Sequence, residues 1–598
     1  MYIRRVTTRR RTSGETYYSY RLVESRREGG RVRQIALLNL GRHFDLPEQH
    51  WPALCARLTQ LLGSQGVLVP VDLPVEVEST AQALAARLVA QTPVESDATH
   101  FVEVDVASLE LVQPRSVGVE QVGLYALEQL QLLPLLESLG VNAVTRAMIQ
   151  AQIVGRLAAP GSELATWGWL NETSALPELL DLSLPDLSIM RLYRAADVLM
   201  KHQAAVEAHL FTRVRDLFEL DATVTLYDLS NTYFEGAAAA QPKAKRGHSK
   251  EKRSDCPLLT LGLVLDASGF VRRSRVLEGN VVECRTLAAM LKDLSVPEEA
   301  LVVMDRGIAT EANLAWLRTQ GYRYVVVSRE RTRQRPQGEM TVTTAGGETI
   351  RVERVLDEAA SEVRLYCHSP GREAKENGIS QRFCDRFETG LQKLVDGLKR
   401  PRGAKSPAVI HERIGKLKAA SFGAGQHYTV EVETNPEATV VTGLAWTKQV
   451  LPGTMLAAPG VYCLRSNETS WSEEQLWRTY MMLTDLEAVF RSLKSELGLR
   501  PVYHLKAERA DAHLFISVLA YQCVQLVRRQ LKVKGIDQRW TGLRETLSVQ
   551  RRVTARFTQR DGSTLNVRKA TQPEPKLKAI YEALGLPLLP GGTKKMIA

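Results

Sequence analysis

Residues 17–40 alternate apolar and polar side chains, with YYSYRLVE and RVRQIALLNLG flanking Glu28-Gly29-Gly30. A period of two around a glycine turn predicts a β-hairpin. A helix is expected from about Leu46 to Leu62, followed by a Pro/Val/Glu-rich connector from Val67 to Glu78. From about Val117 to Leu217 apolar residues return every three or four positions, with a break at Pro160-Gly161, which predicts an all-helical region. At Ala222 the period changes. TVTLYDLS, LLTLGLVLDASG, FVRRSRVLEG, ALVVMDRG and YRYVVVSRE read as strands, with helices near 285–294 and 311–320, and together they predict an α/β sheet of mixed direction. From about Pro336 to Arg465 the pattern is again β-like, around one charged helix near 382–398, and reads as an insertion. Two long helices, near 472–496 and 508–531, and a basic tail complete the chain.

The expected organisation is thus a basic β-hairpin module with helix and connector (1–100), a helical domain (105–217), a core in two parts (218–335 and 466–535) around a β-rich insertion (336–465), and the tail (536–598). At 598 residues, 44% of them hydrophobic, the chain has the profile of a multi-domain globular protein. The N-terminal segment is charged and lacks an apolar core, so a secretory signal is not expected; the apolar stretch Leu514 to Val527 is too interrupted to span a bilayer. A cytoplasmic protein with no membrane partner is expected. Seven scattered cysteines without a CxxC pair argue for reduced core thiols rather than a disulfide framework or structural zinc.

Charge adds a partner. The 78 Lys+Arg against 67 Asp+Glu leave +11, and the excess is gathered in Arg4 to Arg11, Arg26 to Arg33, Lys243 to Arg253 and Lys399 to Lys405. Clustered cations are what a polyanion reads.

Three acids stand where packing alone does not place them. Val224, Leu226 and Asp228 share one face of a strand, and Leu301, Val303 and Asp305 share a face of another. Each aspartate ends an otherwise apolar face; a turn or N-cap role is the competing reading, with Asn231 and Gly307 close by. Asp305 falls at the C-terminal edge of its strand, where open α/β sheets place ligands. On the later helix Leu483, Leu486, Phe490, Leu493 and Leu497 form the buried stripe, and Tyr480, Glu487 and Lys494, seven apart, run beside it. Glu487 has Arg491 one turn on, so an ordinary helix ion pair competes with a metal ligand whose flanking cations meet phosphate. Two strand aspartates and a helix glutamate suit two magnesium ions roughly 4 Å apart, which activate a water or 3′-hydroxyl and stabilise the leaving oxygen of a phosphodiester. The basic run from Lys243 begins fifteen residues after Asp228 and is close enough to cover the same edge.

In order along the chain, YDLSNTYFEG, RGHSKEKRSDCPLLTLGLVLD, LEGNVVECRTL, VVMDRGIATEANL and YMMLTDLEAVFRSLKSELGLRPVYH resemble the blocks of a DDE transposase of bacterial insertion sequences. The last block is similar to the Tyr-Arg-Glu-Lys signature Y-x2-R-x3-E-x6-K of one large branch. Tyr480, Glu487 and Lys494 fit it, and Leu483 stands where the signature has arginine, so that phosphate contact is absent or is supplied elsewhere, for instance by Arg491 or Arg478. The resemblance spans about 222–522, and the 182 residues between Asp305 and Glu487 are similar to the β-rich insertion of that branch.

The resemblance implies a ribonuclease-H-like mixed-sheet core and metal ligation by Asp228, Asp305 and Glu487, with two Mg2+ for which Mn2+ substitutes. It implies cutting and joining of element ends, contacts to DNA from Arg246, His248, Lys250, Arg253, Arg306, Tyr480, Arg491 and Lys494, and a homodimer pairing two inverted-repeat ends on target DNA at the nucleoid. Two other functions fit the same residues: a DNA nuclease without joining activity, and a catalytically silent DNA-binding protein derived from a transposase. Asp266, in Asp-Ala-Ser-Gly, reads as a hairpin-turn residue. Trp446 reads as a core residue before a base-stacking one.

Overall fold

The computed structural model describes residues 1–597 apart from 10–15, 29–30, 42–43, 63–72, 91–100, 184–187, 219–223, 236–237, 239–240, 248–254, 293–299, 331, 345, 359–360, 401–404 and 505. The chain divides into two compact units. The first comprises 1–217, 231–259 and 489–598, and the second 218–230 and 260–488.

In the first unit the alternating N-terminal pattern makes a three-stranded antiparallel sheet, with Thr16–Glu28 between Tyr2–Arg9 and Arg31–Gly41. Leu22 and Leu38 from the sheet pack with Leu54 and Leu58 of the helix Trp51–Leu62 and with Val77 and Ala81 of the helix Val75–Ala90. The end of the expected connector is therefore the start of a helix. Its apolar positions Val77, Ala81, Leu84 and Ala85 recur at helical spacing and need a cover.

The helical region forms as its periodicity predicts, from Gly118–Gln129 through Gln203–Phe218. The helix Ala507–Val533 is buried on all sides from Ala512 to Val524 among residues of the unit. It is the one helix among the described residues long and apolar enough to cross a membrane, and 89% of its apolar stretch is buried inside the protein.

Two further segments of this unit differ from expectation. Residues 104–116 are a strand, and residues 536–598 are folded rather than a tail. Val104–Ser116 pairs with Arg551–Gln559, which pairs with Thr564–Ala570 and then Lys594–Ile597, all antiparallel. The helices Trp540–Ser548 and Pro575–Leu584 bury Trp540, Leu543, Ile580 and Tyr581. The strand at 104 finds its partner more than 430 residues later, a pairing that no local pattern announces.

The second unit is built on a nine-stranded mixed sheet. Its order is Thr341–Thr343, Thr349–Asp357, Glu362–His368, Val461–Ser466, Arg323–Val327, Leu301–Met304, Val224–Tyr233, Leu258–Asp266 and Val271–Glu278. Val224–Tyr233, Leu301–Met304 and Arg323–Val327 run parallel to one another. Val461–Ser466 and the three strands beyond it add on antiparallel. Both faces of the centre are covered, so Leu258–Asp266 and Leu301–Met304 are buried along their whole length. Leu287, Met290, Leu314 and Leu317 from the helices Leu287–Leu291 and Glu311–Thr319 pack on Tyr227, Val302, Met304 and Tyr324.

The β-like stretch expected as an insertion thus splits. Its outer strands extend the sheet, while residues 370–448 hold the helices Pro370–Leu398 and Pro407–Ala420 and the hairpin Tyr428–Thr434/Val441–Lys448 around Phe387, Leu391, Ile410 and Val441. Trp446 is half-buried, packs against this cluster and stands opposite Val430 in register.

Candidate active site

The parallel pairing of Val224–Tyr233 with Leu301–Met304 runs Val224↔Leu301, Thr225↔Val302, Leu226↔Val303 and Tyr227↔Met304. Asp228 and Asp305 are the next residues on the two chains. Neighbouring strands lie about 4.8 Å apart, so this register sets the two aspartates side by side at the C-terminal end of Leu301–Met304. Asp228 is half-buried and Asp305 exposed.

Asp305 also makes a turn. Its Oδ1 accepts from the Arg306 amide at 2.6 Å and its carbonyl accepts from Ile308 at 3.0 Å, so part of its structural role is real. One carboxylate oxygen is held by this bond, while the side chain remains open to solvent.

Glu487 is exposed on the helix Glu473–Ser495. Tyr480, on the same helix, holds its ring 6.5 Å from that of Tyr462 on the sheet strand Val461–Ser466. Burial pushes the Tyr480 hydroxyl up to about 12; Asp305 and Glu487 push it the same way, while Arg372 opposes them. Both acids therefore lie within electrostatic reach of one phenol. The carboxylates of Asp228, Asp305 and Glu487 do not close to within 4.8 Å of one another.

Glu283 is a further acid, which the sequence reading passed over. A Cβ on Gly307 would stand 3.2 Å from Glu283 Oε2, so Glu283 lies against the Asp305 turn. Its carbonyl accepts from Thr286 Oγ1, which shares a 2.5 Å hydrogen bond with the Tyr227 hydroxyl. Glu283 lies within LEGNVVECRTL, a segment read for its pattern and not for its acid. Asp266, by contrast, is buried, and its Oδ1 accepts from Ser268 and Phe270 amides at 2.8 and 3.0 Å, as a hairpin-turn residue does.

Of the cations expected to meet DNA, Arg306 is exposed directly after Asp305 and Arg246 is exposed in the first unit. Arg491 is exposed and Lys494 half-buried on the Glu487 helix, and Arg478 pairs with Glu474 at 2.7 Å. His248, Lys250 and Arg253 lie outside the described residues.

Among the described residues, the group of potential metal-ligand atoms that does close to within 4.8 Å is in the first unit: Glu163, His504 and His513. Its chemistry is that of an ion-pair network. Arg156 Nη2 lies 2.6 Å from His513 Nδ1 and 3.7 Å from Glu163, and His504 Nε2 lies 2.7 Å from Glu163. A guanidinium already fills the place beside the carboxylate that a metal ion needs.

The family model of the transposase DDE domain matches residues 216–523, just over half of the chain. That of the IS1634 family transposase N-terminal domain matches residues 4–65, the segment of the N-terminal sheet and first helix. No match was found among curated proteins. With these two matches laid over the parallel aspartate strands, the chain belongs to the DDE transposases of insertion sequences, with an N-terminal domain of the IS1634 family.

Proposed function

We propose that this transposase binds the ends of its insertion sequence, cuts a DNA strand there and joins the freed end to target DNA, with Asp228, Asp305 and Glu487 as the acids of a ribonuclease-H-like core. The observation that carries this reading is the parallel register that sets Asp228 beside Asp305. The electrostatic reach of Tyr480 to both Asp305 and Glu487 supports it.

The residues fit divalent cations. Carboxylates at adjacent strand positions repel one another, a cost that a shared cation relieves, and an all-oxygen donor set suits Mg2+ or Mn2+. Two such ions, bound, would supply an activated water or 3′-hydroxyl and a stabilised leaving oxygen. The chain's own residues do the rest. Tyr480, held protonated at neutral pH, offers a hydrogen-bond donor beside Asp305. Arg306 projects from the same turn toward the DNA backbone. Arg246, His248, Lys250, Arg253, Arg491 and Lys494 contribute phosphate contacts, which position the duplex without reading its sequence. Residues 1–215 are assigned most of end recognition, and the active form is a dimer on paired ends at the nucleoid.

The deciding assay combines full-length protein, Mg2+, a labelled duplex carrying the terminal inverted repeat that flanks its gene, and a supercoiled plasmid. Labelled end joined to plasmid supports the transposase reading. Nicking of the end without joining identifies a nuclease, and binding without nicking a silent DNA-binding protein.

A further inference from the structure

A cleft beside Asp305 gathers three arginines against a single lining carboxylate. Arg306, Arg333 and Arg372 line it together with Glu330 and Tyr462, and its volume is about 40 Å³. One water needs about 10–15 Å³ on this measure, so the cleft takes roughly three waters, the scale of a single phosphate group. Glu330 pairs with Arg364 at 2.7 Å, and Arg364 also pairs with Asp357 at 3.1 Å. Glu376 pairs with Arg333 at 2.5 Å and with Arg372 Nε at 2.9 Å, so one carboxylate serves two guanidinium groups. Arg306 donates Nη2 to the Arg329 carbonyl at 3.1 Å, a bond that neutralises no charge.

Arg372 is already set for an anion. It stands in the first turn of the helix Pro370–Leu398, and its guanidinium lies over the Tyr462 ring at 4.9 Å. The ring and the Nε bond to Glu376 hold the plane of the group. Its two Nη groups make no hydrogen bond among the described residues and are left for a bidentate acceptor.

The position of Arg372 answers a defect in the signature. The Tyr462 ring lies 6.5 Å from that of Tyr480, whose hydroxyl feels both Arg372 and Asp305. Leu483 follows Tyr480 by three residues, one turn along the same helix face, and carries only an alkyl chain. Arg372 approaches this region from another element.

We propose that Arg372, together with Arg306, holds a backbone phosphate of the DNA next to the cut, making from the helix Pro370–Leu398 the contact that position 483 cannot make. The inference rests on the reading of Asp228, Asp305 and Glu487 as the cutting site. Arginine–phosphate hydrogen bonds are charge-assisted, and the loss of one slows a reaction that depends on it by about 10- to 100-fold.

The test uses full-length protein and the inverted-repeat duplex, with cleavage rate and equilibrium binding measured separately. Arg372→Ala is expected to cut about 10- to 100-fold more slowly while binding the end nearly as well, and Arg372→Lys to recover only part of the rate. Leu483→Arg in the Arg372→Ala background is expected to restore at least about tenfold, a rescue that a purely structural role does not allow. Replacing single phosphates by neutral methylphosphonates gives the second readout. One substitution near the cut should slow the wild type and add nothing in Arg372→Ala, or in Arg372→Lys where the alanine variant does not fold. Wild-type cutting by Arg372→Ala while Asp305→Asn is inactive overturns the inference and leaves the proposed function standing. So does a slow Arg372→Ala that Leu483→Arg does not rescue and that stays additive with every phosphate. Normal cutting by Asp305→Asn removes the proposed function and the inference with it.

Discussion

Asp228 follows Tyr227 as Asp305 follows Met304, and Tyr227 and Met304 are register partners on neighbouring parallel strands. The two acids are 77 residues apart in sequence, yet no side-chain choice is needed to bring them together: the hydrogen-bond register does it.

If the proposed site is right, Asp228→Asn and Asp305→Asn should each lower strand cleavage by about a thousandfold or more while leaving end binding intact, because each would remove a carboxylate charge from the proposed metal site without changing shape. Nicking of an end-labelled duplex and a gel-shift titration on the same preparations measure the two effects. Asp266→Asn is the contrast. Its side chain accepts two turn amides, so the variant should lose stability but cut nearly normally. Loss of activity equal to that of Asp305→Asn would assign the wrong aspartate to the site.

Acid should weaken the first unit through Arg156, Glu163 and His513. Burial disfavours ionisation of Glu163, but the His504 contact and the neighbouring basic groups outweigh it and hold its pKa at about 2. Burial and Arg156 hold the His513 imidazole well below its ordinary value of 6.5. Both folded-state pKa values are depressed, so below pH 6.5 the unfolded chain takes up a proton at His513 that the folded chain refuses, and below pH 4.5 another at Glu163. Stability is therefore fully present above pH 6.5 and falls as pH drops, by up to about 1.4 kcal/mol per pH unit for each proton. Thermal melting from pH 7.5 to 5 should show the fall, and His513→Gln should flatten it.

In the second unit Glu362 is fully buried, yet it meets Arg465 Nε at 2.9 Å, Arg318 and the Tyr324 hydroxyl. Removing one partner of a buried ion pair leaves the others uncompensated, which costs about 3–5 kcal/mol. Glu362→Ala should lower the melting transition of this unit by that order, and Glu362→Gln by less because the amide oxygen still accepts. Equal melting of all three proteins would show that the network carries no net stability.

End recognition is tested by truncation. The N-terminal sheet and its two helices pack as a cluster drawn from residues 1–88, and the strand Val104–Ser116 belongs to the C-terminal sheet. A protein beginning at residue 101 keeps that sheet whole. It should bind DNA weakly and with strong salt dependence, and no longer distinguish its own end from random duplex. Arg246→Ala should instead weaken binding to all sequences alike. Selection of its own end by the truncated protein, as strong as in the full chain, would move recognition elsewhere.

The legible part of this protein is what local chemistry controls. The run LVVM, apolar on both sides and ending in Asp305, specifies a central strand whose edge meets solvent, because only a strand covered on both faces tolerates it. The helical spacing of 118–217 and the long apolar run within Ala507–Val533 likewise fix their own helices. Folding decided what depends on distant partners. Val104–Ser116 reads as the entry to a helical region and becomes a strand because Arg551–Gln559 offers it a ladder. The β-like stretch 336–465 divides between sheet and separate cluster because Glu362–His368 and Val461–Ser466, some 90 residues apart, pair with each other. Leu483 stands where the signature has arginine, but only the fold brings Arg372 of another helix over the Tyr462 ring, whose centre lies 6.5 Å from that of Tyr480. A strand or helix is selected by spacing along the chain, whereas a charge is recruited across space, and the sequence carries the first kind of information and not the second.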